Sequence, residues 1–505
     1  MNKIVLTTLN ARYTHSAIGL RYLYANLEEF QENTSIVEFT INEAIQTIAE
    51  KILMHNPSII GIGVYIWNAT EVKELIEILK KVSPETTIVL GGPEVSYRPF
   101  RVDFSNANYI LQGEADLAFY KLVKDIETNC APTEHVIRQT MPDIKKIKLP
   151  YQFYNEHDVA NRYIYVEASR GCPFECEFCL SSIDEKVRNF ELDNILKEFE
   201  LLWEKGVRSF KFIDRTFNLN MRFANSILDF FLSKEPPYFA HFEVIPDHFP
   251  ESIKQKIAQF PAGSLQLEIG IQTLNPVIAE NINRPLKIKK IEENIAFLET
   301  QTKAHMHLDL IVGLPGETLE SFGKNLDTLC SLSHSEIQIG ILKKLSGTSI
   351  ARHDEKFAMT YSDIPPYDVL KTKEVGFLEI QKMKRFARFW DLTYNSGNFK
   401  ETMQIFFQGK SVFDEFYAFS EWIYTQTDAT WKISLERLSA LLFRYLVDVK
   451  NYHDKTIAEA MLDDIMSLQG RVVPKFLKPF HIKPTVVNAN TTNNKMNKRQ
   501  NAREI

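Results

Sequence analysis

The chain is 505 residues long, 44% hydrophobic and 25% charged, enough for two or three domains with ordinary cores and an ordinary soluble surface. A net charge of −6 argues against a general nucleic-acid or anionic-membrane binder, and five cysteines in so long a chain do not make a disulfide scaffold. MNKIVLTTLNARYTHS has no apolar core with a cleavage site, and no stretch approaches the roughly eighteen apolar residues of a membrane span, so a cytoplasmic protein is expected.

In chain order, short apolar runs alternate with amphipathic stretches over the first 130 residues. KIVLTTL (3–9), SIVEFTI (35–41), SIIGIGVYIW (58–67) and TTIVLGG (86–92) read as strands. The segments 17–30, 43–56 and 69–82 between them read as helices, and 107–126 closes the unit as strand, turn and helix. This pattern predicts an open parallel sheet with helices on both faces, which binds ligands outside the strand C-termini. Gly91-Gly92-Pro93 and Gly113-Glu114 fall there. Residues 131–160, broken by Pro132, Pro142 and Pro150, read as a linker.

A second series begins with YIYVEAS (163–169), continues through SFKFID (209–214), YFAHFEV (238–244), LQLEIGI (265–271) and HMHLDLIVG (305–313), and ends with EIQIGIL (336–342). Six strands with crossovers predict a barrel or partial barrel over 161–350. Beyond it, 351–483 reads as a mainly helical domain and 484–505 as a frayed, Asn-rich tail.

The loop after the first strand of this series holds RGCPFECEFC, with Cys172, Cys176 and Cys179 in C-x3-C-x2-C spacing. Gly171, Pro173, Glu175 and Glu177 make it a polar turn, which weakens a purely structural reading. Zinc would want a fourth ligand and the paired-knuckle spacing. A cluster of four irons held by three thiolates would leave one iron open.

With Phe178 before the last cysteine, this loop resembles that of the radical S-adenosylmethionine superfamily. FIDRTFNLN (212–220) resembles the FxDDxFN segment of members with a cobalamin domain, with Arg215 in place of the second aspartate. LEIGIQTLNP, DLIVGLPGET and ILKKLSGT, the last with Ser346 in place of proline, resemble the fourth-, fifth- and sixth-strand segments of that family. The resemblance implies a [4Fe-4S] cluster on the three cysteines and reductive cleavage of S-adenosylmethionine to a 5′-deoxyadenosyl radical. It makes Phe178, Asp214, Arg215, Glu243, Glu268, Gln272, Gly313 and Pro315 candidates for holding S-adenosylmethionine. Asp214 would face the methionyl ammonium and Arg215 its carboxylate, while Glu268 and Gln272, on one strand face, would face the ribose.

GIGVYIWNAT, VLGGPEVS and QGEADLAF resemble the cobalamin-binding domains that precede some of these barrels. That resemblance implies cobalamin over residues 1–130, with Thr14, His15, Gly91, Gly92, Pro93, Gly113 and Glu114 as candidate contacts. The first βα turn departs from the D-x-H-x-x-G pattern, since Tyr13 replaces the aspartate and Gly19 comes four residues after His15. The expected fold class is α/β: a Rossmann-like, flavodoxin-like cobalamin domain, a partial (β/α)6 radical barrel and a helical C-terminal domain that resembles an uncharacterised one on bacterial members.

The function implied is methyl transfer to an unactivated carbon or phosphorus of a small, natural-product-like molecule, with electrons from a flavodoxin or ferredoxin. A ring-forming or rearranging oxidoreductase and an RNA methylthiotransferase are the alternative enzymes, and a cobalamin or iron–sulfur redox sensor is the non-enzymatic one. Only Cys130 precedes the cluster loop, where a methylthiotransferase would carry a second three-cysteine set.

Overall fold

Two series of βα units form two parallel sheets in this computed structural model, which describes residues 3–468 and 470–481. The first series is β1 (Ile4–Asn10), α1 (Ile18–Ala25), β2 (Thr34–Thr40), α2 (Ile45–Leu53), β3 (Ile59–Gly63), α3 (Ala69–Val82), β4 (Thr87–Gly91), α4 (Pro93–Ser96), β5 (Tyr109–Gln112), α5 (Ala118–Glu127) and β6 (Val136–Arg138). Its strand order is β2-β1-β3-β4-β5-β6, a flavodoxin-like sheet whose order reverses between β1 and β3. β1 is buried along all seven residues because helices cover both faces, and α3 buries Val72, Leu75, Ile76 and Leu79 along one stripe.

The sheet runs past residue 130, because Val136 and Ile137 pair with Ile110 and Leu111. The expected linker 131–160 therefore contains an edge strand, too short at three residues to show an alternating pattern among the prolines. It also contains α6 (Glu156–Asn161), closed at its start by a capping box between Asn155 and Asp158. Arg21 of α1 donates to Glu38 of β2 and Asp158 of α6 at 2.7 Å each, with all three side chains 3% exposed.

The second series starts with β7 (Ile164–Val166), followed by a short hairpin of β8 (Ser169–Arg170) and β9 (Arg188–Asn189). Then come α7 (Leu192–Glu204), β10 (Ser209–Phe212), α8 (Met221–Leu232), β11 (Phe239–Val244), α9 (Glu251–Ile257), β12 (Leu265–Gln272), α10 (Pro276–Asn281), α11 (Ile288–Gln301), β13 (His305–Val312), α12 (Leu319–Leu332) and β14 (Glu336–Ile341). The strands stand in chain order, β7-β10-β11-β12-β13-β14, all parallel, as the expected partial barrel. Along β12 and β13 alternate residues are fully buried against the helices, and the others face the barrel interior.

The C-terminal region is α13 (Phe377–Leu392), α14 (Lys400–Phe407), α15 (Val412–Thr427), α16 (Leu435–Arg444) and α17 (Asp454–Met466), and it shares one apolar core with the barrel. The Trp390 indole of α13 donates to the Ile337 carbonyl at 3.0 Å, and the Asn395 side chain bonds both the N–H and the C=O of Ile337. On edge strand β14 the outward N–H and C=O of Ile337 are thus satisfied. The tail expected at 484–505 lies outside the described residues.

The N-terminal domain touches the barrel at both ends of its open sheet. Beside β7, the Tyr163 N–H donates to the Thr14 carbonyl and the Ser16 hydroxyl to the Tyr163 carbonyl. Beyond β14, the Ser346 hydroxyl donates to the Pro99 carbonyl and the Tyr367 hydroxyl to Glu94, and Gly347 lies against Tyr97.

Candidate functional site

The hairpin of β8 and β9 brackets the cysteine loop. Gly171 begins it with φ +90°, and a Cβ there would stand 2.4 Å from the Lys186 carbonyl oxygen, so the turn requires glycine. The Cys172 N–H donates to the Asp184 carbonyl and the Cys179 N–H to that of Cys176. Glu177, buried between the last two cysteines, is held by His353 at 2.7 Å and by Arg352, so the region beyond the barrel fixes the loop from behind.

Cys172, Cys176 and Cys179 all line a cavity of about 250 Å³ at the C-terminal ends of the barrel strands. The Arg284 guanidinium stands 3.3 Å from the Cys176 sulfur. Burial pushes the Cys172 thiol above its ordinary value, a proton that metal binding would displace. Among the described residues the three sulfurs do not all lie within 4.8 Å of one another. A single zinc would bring them to at most roughly 4.6 Å, twice a Zn–S bond. The donor set suits a polynuclear cluster, which spreads its thiolates over separate irons.

Phe178, Arg215, Glu243, Glu268, Gln272 and Asp309 line the same cavity. The parallel register sets Glu243, Glu268, His307 and Glu336 side by side across four strands. Burial opposes ionisation of Glu268, but the His241 ring at 2.8 Å overcomes it and holds the carboxyl below its usual range. Burial, then the charge of Glu268, pushes Asp309 well up. The cavity floor therefore presents two carboxyls pushed in opposite directions, Glu268 toward ionisation and Asp309 away from it.

A second cavity, of about 620 Å³, lies between the C-terminal edge of the first sheet and the barrel. His15, Gly91, Gly92, Pro93 and Gly113 line it. Gly92 has φ +110°, and a Cβ would lie 2.5 Å from the Val64 carbonyl oxygen, whereas a Cβ at Gly91 would meet nothing within 4 Å. The wall is a flat backbone cradle that side chains would fill, which suits a broad planar ligand. The His15 Nδ1 is bonded to the Tyr165 hydroxyl, and burial, then Lys211 and Arg12, lowers its pKa. Arg215 lines both cavities, and its Nη1 donates to both Glu243 oxygens at 2.8 and 2.9 Å. Half of its side chain, 52%, is accessible although it sits deep between the two domains.

Five expected contacts lie elsewhere. Asp214 is buried behind the cysteine cavity, where it accepts from the Ala168 N–H at 2.9 Å and the Ser169 hydroxyl at 2.6 Å, and burial raises its pKa to about 7. Gly313 faces the C-terminal region, where a Cβ would stand 2.7 Å from Val369, and the Pro315 carbonyl accepts from Asn281 of α10. Thr14 uses its carbonyl on Tyr163, and Glu114 is ion-paired to Arg170 and Arg188. Sequence reasoning passed over Arg284, His241, His307 and Asp309. The polar residues at 305, 307 and 309 alternate along HMHLDLIV, the available signal that this strand has a polar inner face.

Comparison with known proteins agrees with this layout. Residues 4–123 match the B12 binding domain family, 166–329 the radical SAM superfamily and 355–504 a protein family of unknown function, DUF4080. An uncharacterized methyltransferase of Pyrococcus horikoshii is 24% identical over 74% of this chain and 87% of its own length. The cobalamin-dependent radical SAM methyltransferase TokK of Streptomyces tokunonensis is 22% identical over 64% of this chain, but the match spans only 53% of that protein. Among solved structures, TsrM of Kitasatospora setae with cobalamin and a [4Fe-4S] cluster bound superposes with a TM-score of 0.59, at 17% identity over 72% of this chain and 82% of its own. OxsB with aqua-cobalamin and S-adenosylmethionine bound gives 0.61, at 12% identity over 92% and 79%. These two likenesses show the shared fold. The cofactors are a [4Fe-4S] cluster, S-adenosylmethionine and cobalamin. The chain is thus an enzyme built of a B12-binding domain, a radical S-adenosylmethionine domain behind it and a DUF4080 region at the end.

Proposed function

We propose that the enzyme transfers a methyl group to an unactivated carbon or phosphorus of a small molecule held between the two cavities. The observation that carries this is Arg215, which borders both, so that ligands in the two cavities would face each other across one side chain. When bound, the cluster supplies one-electron cleavage of S-adenosylmethionine and cobalamin a transferable methyl group. Cys172, Cys176 and Cys179 would hold three irons. Glu268 and Asp309 would hydrogen-bond the ribose hydroxyls, with Gln272 beside them. Arg215, tied to Glu243, would keep one guanidinium edge toward the reacting space. The backbone cradle at Gly91, Gly92 and Gly113 would take the corrin edge. His15, engaged by Tyr165, is not the expected ligand to cobalt.

A flavodoxin or ferredoxin would supply electrons. Among the described residues no helix is long and apolar enough to cross a membrane, in keeping with a cytoplasmic enzyme. Cys130, the lone cysteine ahead of the cluster loop, is exposed, which leaves the methylthiotransferase reading without a second cluster. The test is anaerobic incubation of cluster- and cobalamin-loaded enzyme with reduced flavodoxin and S-adenosylmethionine. Both 5′-deoxyadenosine and S-adenosylhomocysteine are expected, and Cys176→Ala should abolish the former. Deoxyadenosine without homocysteine product would favour the ring-forming oxidoreductase instead, and neither product would favour the sensor.

A further inference from the structure

The cysteine loop is held to the N-terminal domain by two arginines that stand opposite each other in its hairpin, Arg170 on β8 and Arg188 on β9. Arg170 satisfies all of its N–H groups on three carboxylates: Nε and Nη2 donate to Glu167 at 3.0 and 2.8 Å, Nη1 to Glu114 at 2.8 Å, and Nη1 and Nη2 to Asp116 at 2.9 and 3.0 Å. Its guanidinium also lies over the Tyr22 ring at 4.7 Å. Arg188 reaches the same Glu114 and holds Asp184 of the cysteine loop at 2.9 Å. Glu114 and Asp116 belong to the turn between β5 and α5 of the B12-binding domain.

Two features make this more than a domain contact. Arg170 is two residues from Cys172, and Asp184, held by Arg188, accepts the Cys172 N–H through its own carbonyl. Asp116, Glu167 and Arg170 also line the 620 Å³ cavity. A ligand in that cavity removes the water that screens these charges, and an ion pair in a drier setting exerts a stronger field.

We propose that Glu114 and Asp116 are positioning residues: through Arg170 and Arg188 they hold the cluster loop, so that filling the neighbouring cavity with cobalamin is felt at the cluster. The inference rests on the cofactor assignment above. By linkage the coupling is reciprocal, so reduction of the cluster changes cobalamin affinity by the same factor.

The experiment is an EPR-monitored redox titration of the anaerobically reconstituted full chain, with and without methylcobalamin. Iron content and the visible cobalamin spectrum are read on the same samples. The wild type should show a cluster potential that shifts when cobalamin is added. Glu114→Gln removes one negative charge near the cluster, so its potential should be higher in both states, and most of the cobalamin-dependent shift should be lost. Arg188→Lys keeps the charge but not the fork, and should retain part of the shift; it decides the matter if Glu114→Gln fails to take up iron. Glu94→Gln, which removes a domain contact remote from the loop, should leave the shift intact. A wild type without a shift, or a Glu114→Gln protein that keeps all of it, overturns the clasp. Absent iron or unbound cobalamin in the wild type instead overturns the cofactor assignment.

Discussion

Asp214 should make the chain ahead of the cysteine loop less stable as pH rises through neutrality. Its carboxyl is buried and accepts from Ala168 and Ser169, the residues leading into that loop. Burial outweighs those hydrogen bonds and lifts the pKa from 3.8 to about 7. Because the folded value lies above the unfolded one, the stabilisation is complete below the unfolded pKa and is lost as pH rises through the folded one. Between about pH 5 and pH 7 the loss is roughly 1.4 kcal/mol per unit, some 2–3 kcal/mol in all, or about a hundredfold in an opening equilibrium. Asp214→Asn cannot ionise and removes this dependence, while Glu317, also raised to about 7, stays in both proteins and cancels. The assay is amide hydrogen exchange of a peptide covering residues 164–171, wild type against Asp214→Asn at matched pH. Wild-type protection should fall relative to the variant up to about pH 7 and level off above it. Parallel curves, or a relative gain for the wild type, would refute the argument.

Arg21→Met should destabilise the protein by about 3–5 kcal/mol in urea unfolding, because Glu38 and Asp158 stay buried with only Arg162 to share. Gly92→Ala forces a side chain into a positive-φ position against the Val64 carbonyl, a strain of about 1–3 kcal/mol. It should weaken cobalamin binding by about one to two orders of magnitude in a visible titration. Trp390→Ala should cost about 3–5 kcal/mol, seen as early proteolysis of the C-terminal helices. That loss should come mainly from packing, since Asn395 still donates to the Ile337 carbonyl.

The architecture is legible in the sequence because parallel strands covered on both faces carry apolar runs: β3 has no polar side chain, and β1 opens on Ile4, Val5 and Leu6. The cysteine loop was legible for a different reason: its three thiols are local in sequence. What could not be read were groupings made by topology. Glu114 and Arg188 meet across 74 residues, and no spacing rule announces it. Asp214 lies after a strand end, where ligands are expected, yet its side chain folds back onto Ala168 and Ser169 of the neighbouring segment. The glycines at 313 and 316 do allow a close approach, but what approaches them is Val369 and Phe357, from a region without a recognisable pattern.

The N-terminal domain spans the open side of the barrel, from Thr14 beside β7 to Tyr97 and Glu94 beyond β14. This makes the reacting space a roofed passage rather than an open bowl. A residue displayed on a folded macromolecule would have to part Tyr97 from Gly347 and Glu94 from Tyr367 to reach Arg215, whereas a free small molecule need only slip beneath. On the proposed reaction the bridge would sort candidates by bulk ahead of any recognition by charge or shape. Widening it, with Tyr97→Ala for instance, would be the first step in coaxing the enzyme toward larger acceptors.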